Sequence, residues 1–353
     1  MSDHVRTALA TIVEGGTLSL EEARLAMGAV MDGDATAAQL AAMLMGLRMR
    51  GETVDELAGF ATAMRERVIR VKAPDGTIDV VGTGGDGSGT FNISTTAALV
   101  VAAAGIPVAK HGNRAITSQA GSADVLEALG IRVDHDATTA GAALRDTGFA
   151  FMFAPNFHPA MRHAAPTRRE IGVRTAFNLL GPLTNPAGTR RQLLGVGDAR
   201  AAGRFAEVVH RLGTERTLVV HGAGVDELPL DGTGVMYDVT EAGIAERRVD
   251  AAALGLRPSA TSRLAGDDAA SNARLVEAVL RGEPGSRRDV VLLNAGAALL
   301  AAGAVDALED GIERAALTID AGLTADLLER LRAERRSAAA AEAAGVADSA
   351  PRT

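Results

Sequence analysis

The sequence contains no cysteine and no tryptophan, a single tyrosine and only two lysines in 353 residues. The lack of cysteine excludes disulfides and thiolate metal sites. Aromatic residues amount to 3%, too few for the stacking platforms that bind single-stranded nucleic acid. No apolar run reaches membrane-spanning length, and the opening residues MSDHVRTALA lack a basic start followed by an apolar signal core, so a cytoplasmic protein is expected. A formal net charge of −8 argues against a non-specific nucleic-acid binder and against a basic membrane-surface protein. Any anionic ligand must therefore be held locally. The seven histidines show no paired metal spacing, and no Gly-x-Ser-x-Gly nucleophile elbow occurs.

What the sequence does have is glycine in one concentrated place. Residues 78–96, IDVVGTGGDGSGTFNISTT, begin as a buried strand and pass through Gly82, Gly84, Gly85, Gly87 and Gly89. They end in hydroxyl and amide side chains placed to cap a helix expected over 95–104. Glycine permits positive φ and close backbone approach, and a helix N-terminus offers free N–H groups, so this unit predicts a phosphate cradle. It is not a Walker A sequence, which would need a Gly-Lys-Ser/Thr ending.

The chain around it divides by texture. The first seventy or so residues read as successive helices: Ser19 with Glu22 and Thr53 with Glu56 fit the capping-box pattern, and Leu40, Met43, Leu44 and Leu47 recur at helical spacing. From Thr77 the pattern alternates. Apolar runs at 78–81, 107–109, 131–133 and 149–154 read as strands, separated by helices over 95–104, 123–129 and 138–146, with Gly105, Gly130 and Gly148 at helix C-termini. A segment rich in Pro, Arg and Asn interrupts over 156–188. The alternation resumes with a strand at 193–196, a helix at 201–212, a strand at 217–221, antiparallel strands at 235–239 and 245–249, and a helix at 269–281. The expected fold is α/β: a small helical domain over 1–72, joined by helices from about 165–190, and a larger α/β domain over 73–335 with a mainly parallel central sheet. Residues 336–353, alanine-rich, are expected to form a frayed helix and a disordered tail.

Ligands of open α/β sheets bind beyond the carboxyl ends of strands, so the loops after strands carry the chemistry. The first holds Asp86, Asn92, Ser94 and Thr95. The second, Lys110-His-Gly-Asn-Arg114, leads through Thr117 and Ser118 to Ser122 and supplies the point charge, planar fork and small donors that a diphosphate needs. Lys110 is notable, since 34 of the 36 basic residues are arginine. The third places Asp226 beside Glu227, hard oxygen ligands that suit Mg²⁺ shared with substrate phosphates, to which Ser94 can add an oxygen. The interrupting segment gathers His158, Arg162, His163, Arg168, Arg169 and Arg174, a set able to bind a carboxylate and line an aromatic pocket.

Six ordered motifs bring these loops together: Gly82-Thr-Gly-Gly-Asp86, Asn92-Ile-Ser-Thr95, Lys110-His-Gly-Asn-Arg114, the run from Gly121 to Gly130, the run from Arg174 to Pro186, and Asp226-Glu227. In these the chain resembles the anthranilate phosphoribosyltransferases up to about residue 335. The resemblance implies the phosphoribosyltransferase-type α/β fold with a helical domain, a homodimer through that domain, and transfer of the phosphoribosyl group of phosphoribosyl pyrophosphate to the amino group of anthranilate, in tryptophan biosynthesis. It further implies that Gly82, Gly85, Asp86, Thr90, Asn92, Ile93, Ser94, Thr95, Lys110, His111, Gly112, Asn113, Arg114, Ala115, Ile116, Thr117, Ser118 and Ser122 hold phosphoribosyl pyrophosphate. By the same resemblance Gly82, Asn113 and Arg168 meet anthranilate with His111 and His158 nearby, and Ser94, Asp226 and Glu227 ligate magnesium, expected as two ions. No acid or base is assigned. The chain departs from the family where Ser118-Gln-Ala120 stands in place of the commoner Ser-Lys-Ser, removing one basic residue of the closing loop. Two other readings stay open at this point: a pyrimidine nucleoside phosphorylase, and a non-catalytic nucleic-acid-binding relative on the same fold.

Overall fold

The computed structural model describes residues 3–115 and 119–348. Four helices come first: α1 (Asp3–Val13), α2 (Leu20–Asp32), α3 (Ala37–Arg50) and α4 (Val54–Glu66). The expected capping boxes form at Ser19 and Thr53, and a third forms at Thr36 with Gln39. Each satisfies two of the free donors of a helix N-terminus through a reciprocal pair of bonds.

Alternation follows with β1 (Ile78–Gly82), α5 (Ile93–Ala103), β2 (Val108–Gly112), α6 (Ser122–Ala128), α7 (Ala137–Asp146) and β3 (Phe149–Phe153). Short helices α8 (Ala154–Phe157), α9 (Ala165–Ile171) and α10 (Phe177–Leu180) fill the interruption. The chain continues with β4 (Arg191–Gly195), α11 (Ala199–Arg211), β5 (Arg216–His221), β6 (Thr233–Thr240) and β7 (Gly243–Asp250). It closes with α12 (Ala269–Leu280), α13 (Ser286–Ala301), α14 (Leu308–Asp320) and α15 (Leu323–Asp348). No described helix is long and apolar enough to cross a membrane.

The seven strands run in the order β3-β2-β1-β4-β5-β6-β7; β3 to β5 are parallel, and β6 and β7 add antiparallel, as their alternation suggested. Gly105, Gly130 and Gly148 do adopt positive φ after their helices. Residues 131–133, read as a strand, are not one. Ile131 and Val133 are buried against the core, which explains their alternating look, but the segment pairs with no strand and serves as the connection from α6 to α7. The last helix runs unbroken to Asp348, well past the start of the segment expected to fray.

Strand alternation splits the burial between the two sheet faces. Ile78, Val80, Leu193, Leu218 and Val220 join α5, α12, α13 and α14 in one core, while Leu194, Val219 and Val239 on the other face join α11 and the N-terminal helices. Ala164, Phe177, Leu180 and Leu183, from the interruption, belong to that second core. The chain leaves β1 for β2 and β3 on one side and returns to β4 on the other. The carboxyl ends of β1 and β4, where Gly82 faces Gly195, are therefore a topological switch point, the place where such sheets open a crevice.

Close packing in the helical bundle rests on Gly59 of α4. A Cβ there would lie 2.3 Å from the Leu20 carbonyl oxygen and 2.9 Å from the Arg24 nitrogen, so α2 and α4 touch backbone to backbone. Helix propensity alone makes Gly59→Ala stabilising by about 1 kcal/mol, whereas overpacking costs about 1–3 kcal/mol. We expect the clash to dominate and the urea midpoint to fall; a raised midpoint would show that α2 moves away freely.

Candidate active site

The loop leaving β1 owes its path to glycine. Gly84, Gly85, Gly87 and Gly89 all have φ between +62° and +74°, a region that side-chain-bearing residues enter only with strain. Arg174 reaches back to donate to the Gly84 carbonyl (3.0 Å), and a Cβ on Gly85 would collide with its guanidinium. Asp86 turns inward: one carboxylate oxygen accepts from Ser88 N–H (3.0 Å) and its hydroxyl (2.9 Å), the other from the Asp226 N–H (3.3 Å). Thr90 bonds Ser88 (3.2 Å), and Phe91 is tied to Leu264.

The expected helix begins two residues early, at Ile93, and its cap differs from the expectation. Asn92 occupies the N-cap position without capping, because its side chain is engaged by Ala120 (3.4 Å) and Asn272 (3.0 Å). A carboxylate from another loop substitutes: Glu227 accepts from the Ser94 N–H at 2.9 Å. Thr95 is buried in the first turn.

Lys110 and His111, read as loop residues, belong to β2 and are buried, Lys110 at 2% exposure. A lysine inside a sheet needs partners, and it has them. Its Nζ donates to the Val80 carbonyl (2.6 Å) and lies 3.5 Å from the Ser94 hydroxyl. Burial lowers its pKa, and the charges of Asp79, Glu227 and Asp226 work against that. Asp79 is the carboxylate that sequence reasoning passed over. It is fully buried in β1, accepts from Asn185 Nδ2 (2.7 Å) and the His111 N–H (3.3 Å), and burial pushes its pKa up to about 6. The available signal was one acidic residue inside an otherwise apolar strand.

The third loop is aimed by a tight turn in which Ala223 takes a positive φ of 51°, a strained setting for a non-glycine residue. Asp226 Oδ2 accepts from the Gly84 N–H (2.7 Å), and Asn294 holds Leu228 by both its N–H and its carbonyl (2.9 and 3.0 Å). Close approach to the strand ends depends on glycine: a Cβ on Gly195 would overlap the Asp226 carbonyl, and one on Gly82 would lie 2.2 Å from Asp226 Oδ2. Burial, then Asp86, pushes Asp226 up to about 6; burial, then Asp226, pushes Glu227 well above the usual carboxylate range. These three acids crowd one spot with only Lys110 to offset them, so a cation is the partner the arrangement favours. Among the described residues no three His, Asp or Glu side chains converge as a closed metal cage. Mg²⁺ takes one or two carboxylates and completes its shell with substrate phosphates and water, and Asp226 and Glu227 are the residues that could hold it.

Beside this cluster opens a cavity of about 720 Å³, lined by Gly82, His111, Gly112 and Asn113 from the strand ends and by His158, Arg168, Phe177 and Asn178 from the interruption. The Arg168 guanidinium lies 4.9 Å from the Phe177 ring centre. His111 and His158 stand 5.1 Å apart; His111 Nδ1 contacts the Gly181 carbonyl (3.1 Å), and the Nε2 atoms of both are buried without a protein partner. Burial pushes His111 down to about 3 and His158 to about 4, so both are neutral near pH 7.

Other predicted residues lie at the rim. Arg114 turns away from the crevice, held by Asp124 (3.0 Å) and Glu127 (2.8 Å) over the Phe153 ring. Asp124 also accepts from the Ala115 and Gly121 N–H groups (2.9 and 3.0 Å), closing the base of the loop, and the Ser122 hydroxyl donates to the Asn113 carbonyl (3.4 Å). Ile116, Thr117 and Ser118 lie outside the described residues.

A histidine kept neutral by burial costs stability in acid. The unfolded chain takes up a proton below about pH 6.5 that the folded His158 refuses until about pH 4, so stability falls across that window by up to about 1.4 kcal/mol per pH unit. Asp79 has the opposite sign, since the folded chain binds its proton first as pH falls below about 6. Comparison with His158→Asn isolates the imidazole: the variant's unfolding free energy should fall less steeply between pH 6.5 and 4. Equal slopes would mean that His158 charges freely in the fold.

Comparison with known proteins agrees with this architecture. The helical bundle domain model of a glycosyl transferase family matches residues 6–68, and its a/b domain model matches residues 74–325. The chain is 50% identical over 344 residues to the anthranilate phosphoribosyltransferase of Thermomicrobium roseum, covering 96% of this chain and 99% of that one. The crystal structure of the Thermus thermophilus anthranilate phosphoribosyltransferase superposes with a TM-score of 0.89 at 44% identity, over 95% of this chain and 100% of that one. The Saccharomyces cerevisiae enzyme, solved in complex with phosphoribosyl pyrophosphate and Mg, superposes with a TM-score of 0.86 at 26% identity, over 96% and 99% of the two chains. With the matches running through both the helical and the α/β parts, the chain belongs to the anthranilate phosphoribosyltransferase family.

Proposed function

We propose that this enzyme transfers the phosphoribosyl group of phosphoribosyl pyrophosphate to the amino group of anthranilate, giving N-(5-phosphoribosyl)anthranilate and pyrophosphate in tryptophan biosynthesis. The observation that carries the reading is the junction at Gly82: on one side stands the Asp226–Glu227–Ser94–Lys110 cluster, on the other a cavity with an arginine over a phenylalanine and two neutral imidazoles. A diphosphate ester suits the first, and an aromatic carboxylate suits the second. The relatives' names favour this over a nucleoside phosphorylase or a nucleic-acid-binding relative.

In the reaction the amine nitrogen bonds to ribose C1 as the C1–O bond to diphosphate breaks, and the nitrogen then releases a proton. Magnesium, when bound by Asp226, Glu227 and Ser94, neutralises charge growing on the departing diphosphate. Lys110, fixed by Val80, and the N–H groups of the glycine loop with Asn92, Thr95 and Ser122 hold the phosphates. Gly85, Asp86, Thr90, Ile93, Gly112, Asn113, Arg114 and Ala115 shape the same wall. Arg168, stacked on Phe177, grips the anthranilate carboxylate with Asn113, while His111 and His158 pack on its ring. An aryl amine is a neutral nucleophile already, so positioning dominates and no base is assigned. Residues 1–72 with the helices of 165–190 form the helical domain in this reading. A cytoplasmic homodimer that contacts through that domain belongs to the same proposal and follows from the family resemblance.

Turnover is followed by the loss of anthranilate fluorescence on adding phosphoribosyl pyrophosphate and Mg²⁺. The wild type should turn over. The double variant Asp226→Asn, Glu227→Gln should lose about a hundredfold or more in kcat/KM, and Arg168→Ala should mainly raise the KM for anthranilate. Absence of turnover by folded wild-type protein would overturn the assignment.

A further inference from the structure

Where the chain crosses from the helical bundle to the sheet and back, two segments meet: residues 65–71 going out and residues 182–190 returning. Arg65 Nε donates to the Leu183 carbonyl (2.7 Å), and the Val71 N–H donates to Pro186. Between them lies a hollow of about 240 Å³, lined by Arg65, Arg70 and Arg190 together with Thr189 and Thr214. It sits by Gln192 and Thr217, at the amino ends of β4 and β5, opposite the carboxyl ends that bear Gly195 and His221.

Charge is what sets this hollow apart in a protein of net charge −8. No carboxylate lines it among the described residues. Arg190 is already satisfied by Glu241 (2.7 Å) and the Gly213 carbonyl, and so serves as the wall. Among the described residues neither Arg65 nor Arg70 forms an ion pair. The Arg65 guanidinium is lowered to about 10, first by burial and then by the charge of Arg70, so the two cations that line this hollow repel one another.

We infer that this hollow is an anion site, separate from the catalytic crevice, that takes a phosphate-sized oxyanion between the guanidinium groups of Arg65 and Arg70. Two planar forks match tetrahedral oxyanion geometry, and threonine hydroxyls line the rest. The hollow has room for such an anion together with ordered waters. Because Arg65 also bonds the returning segment, an anion there ties together the two crossings between the helices and the sheet.

The test is equilibrium dialysis with radiolabelled inorganic phosphate at low salt, on wild type, Arg65→Gln, Arg70→Gln and Lys110→Met. The wild type should hold one equivalent that Lys110→Met retains and that both arginine variants weaken by about tenfold or more, as loss of a charged hydrogen bond requires. Arg70 is exposed, so Arg70→Gln is expected to keep the fold, and its unfolding midpoint verifies that; it decides the matter if Arg65→Gln does not fold. Wild-type affinity in Arg70→Gln, or no bound equivalent independent of Lys110, would overturn the site.

Discussion

Everything at the switch point depends on negative charge that the fold has taken out of water. Asp79, Asp226 and Glu227 all have their pKa values raised by burial, and Asp86 adds to the repulsion. Such a cluster costs stability unless positive charge is brought to it. The fold supplies a single lysine, buried in β2 and anchored on the Val80 carbonyl. That shortfall of positive charge is what the proposed magnesium site rests on.

The surrounding structure exists to hold that cluster in place. Gly82 and Gly195, paired across β1 and β4, let the Asp226 loop sit directly on the strand ends. Asn294 of α13 clamps the loop from behind, and Glu227 ties it to the first turn of α5. The glycine loop is then bound from three sides, by Arg174, Asp226 and the Asp86 turn. The crevice is assembled from three strand-end loops, and the aromatic side of it comes from the separate segment over 156–188. In the proposed reaction one wall meets the phosphates and the other the aromatic ring.

Much of this was legible in the sequence, because glycine runs, capping boxes and strand alternation are local signals. Gly105, Gly130 and Gly148 end their helices, and the antiparallel pair β6 and β7 lies where alternation put it. What failed was non-local. Residues 131–133 had the pattern of a strand but owe their alternation to burial against the core, and Asn92 had the chemistry of a cap but was claimed by Asn272, 180 positions away. Lys110 looked like a loop residue because charge inside a sheet is rare; only the three-dimensional neighbourhood reveals the acids that allow it. Asp79 escaped for the same reason in reverse, its partner Asn185 being distant in the chain.

The central claim is that Asp226, Glu227 and the Ser94 hydroxyl bind the divalent ion together with the diphosphate. The most direct measurement is anomalous diffraction from crystals grown with phosphoribosyl pyrophosphate and Mn²⁺ in place of Mg²⁺. The account predicts a metal peak within about 2.5 Å of carboxylate oxygens of this pair, in line with hard-cation coordination. A peak that binds the diphosphate yet touches neither Asp226 nor Glu227 would contradict it.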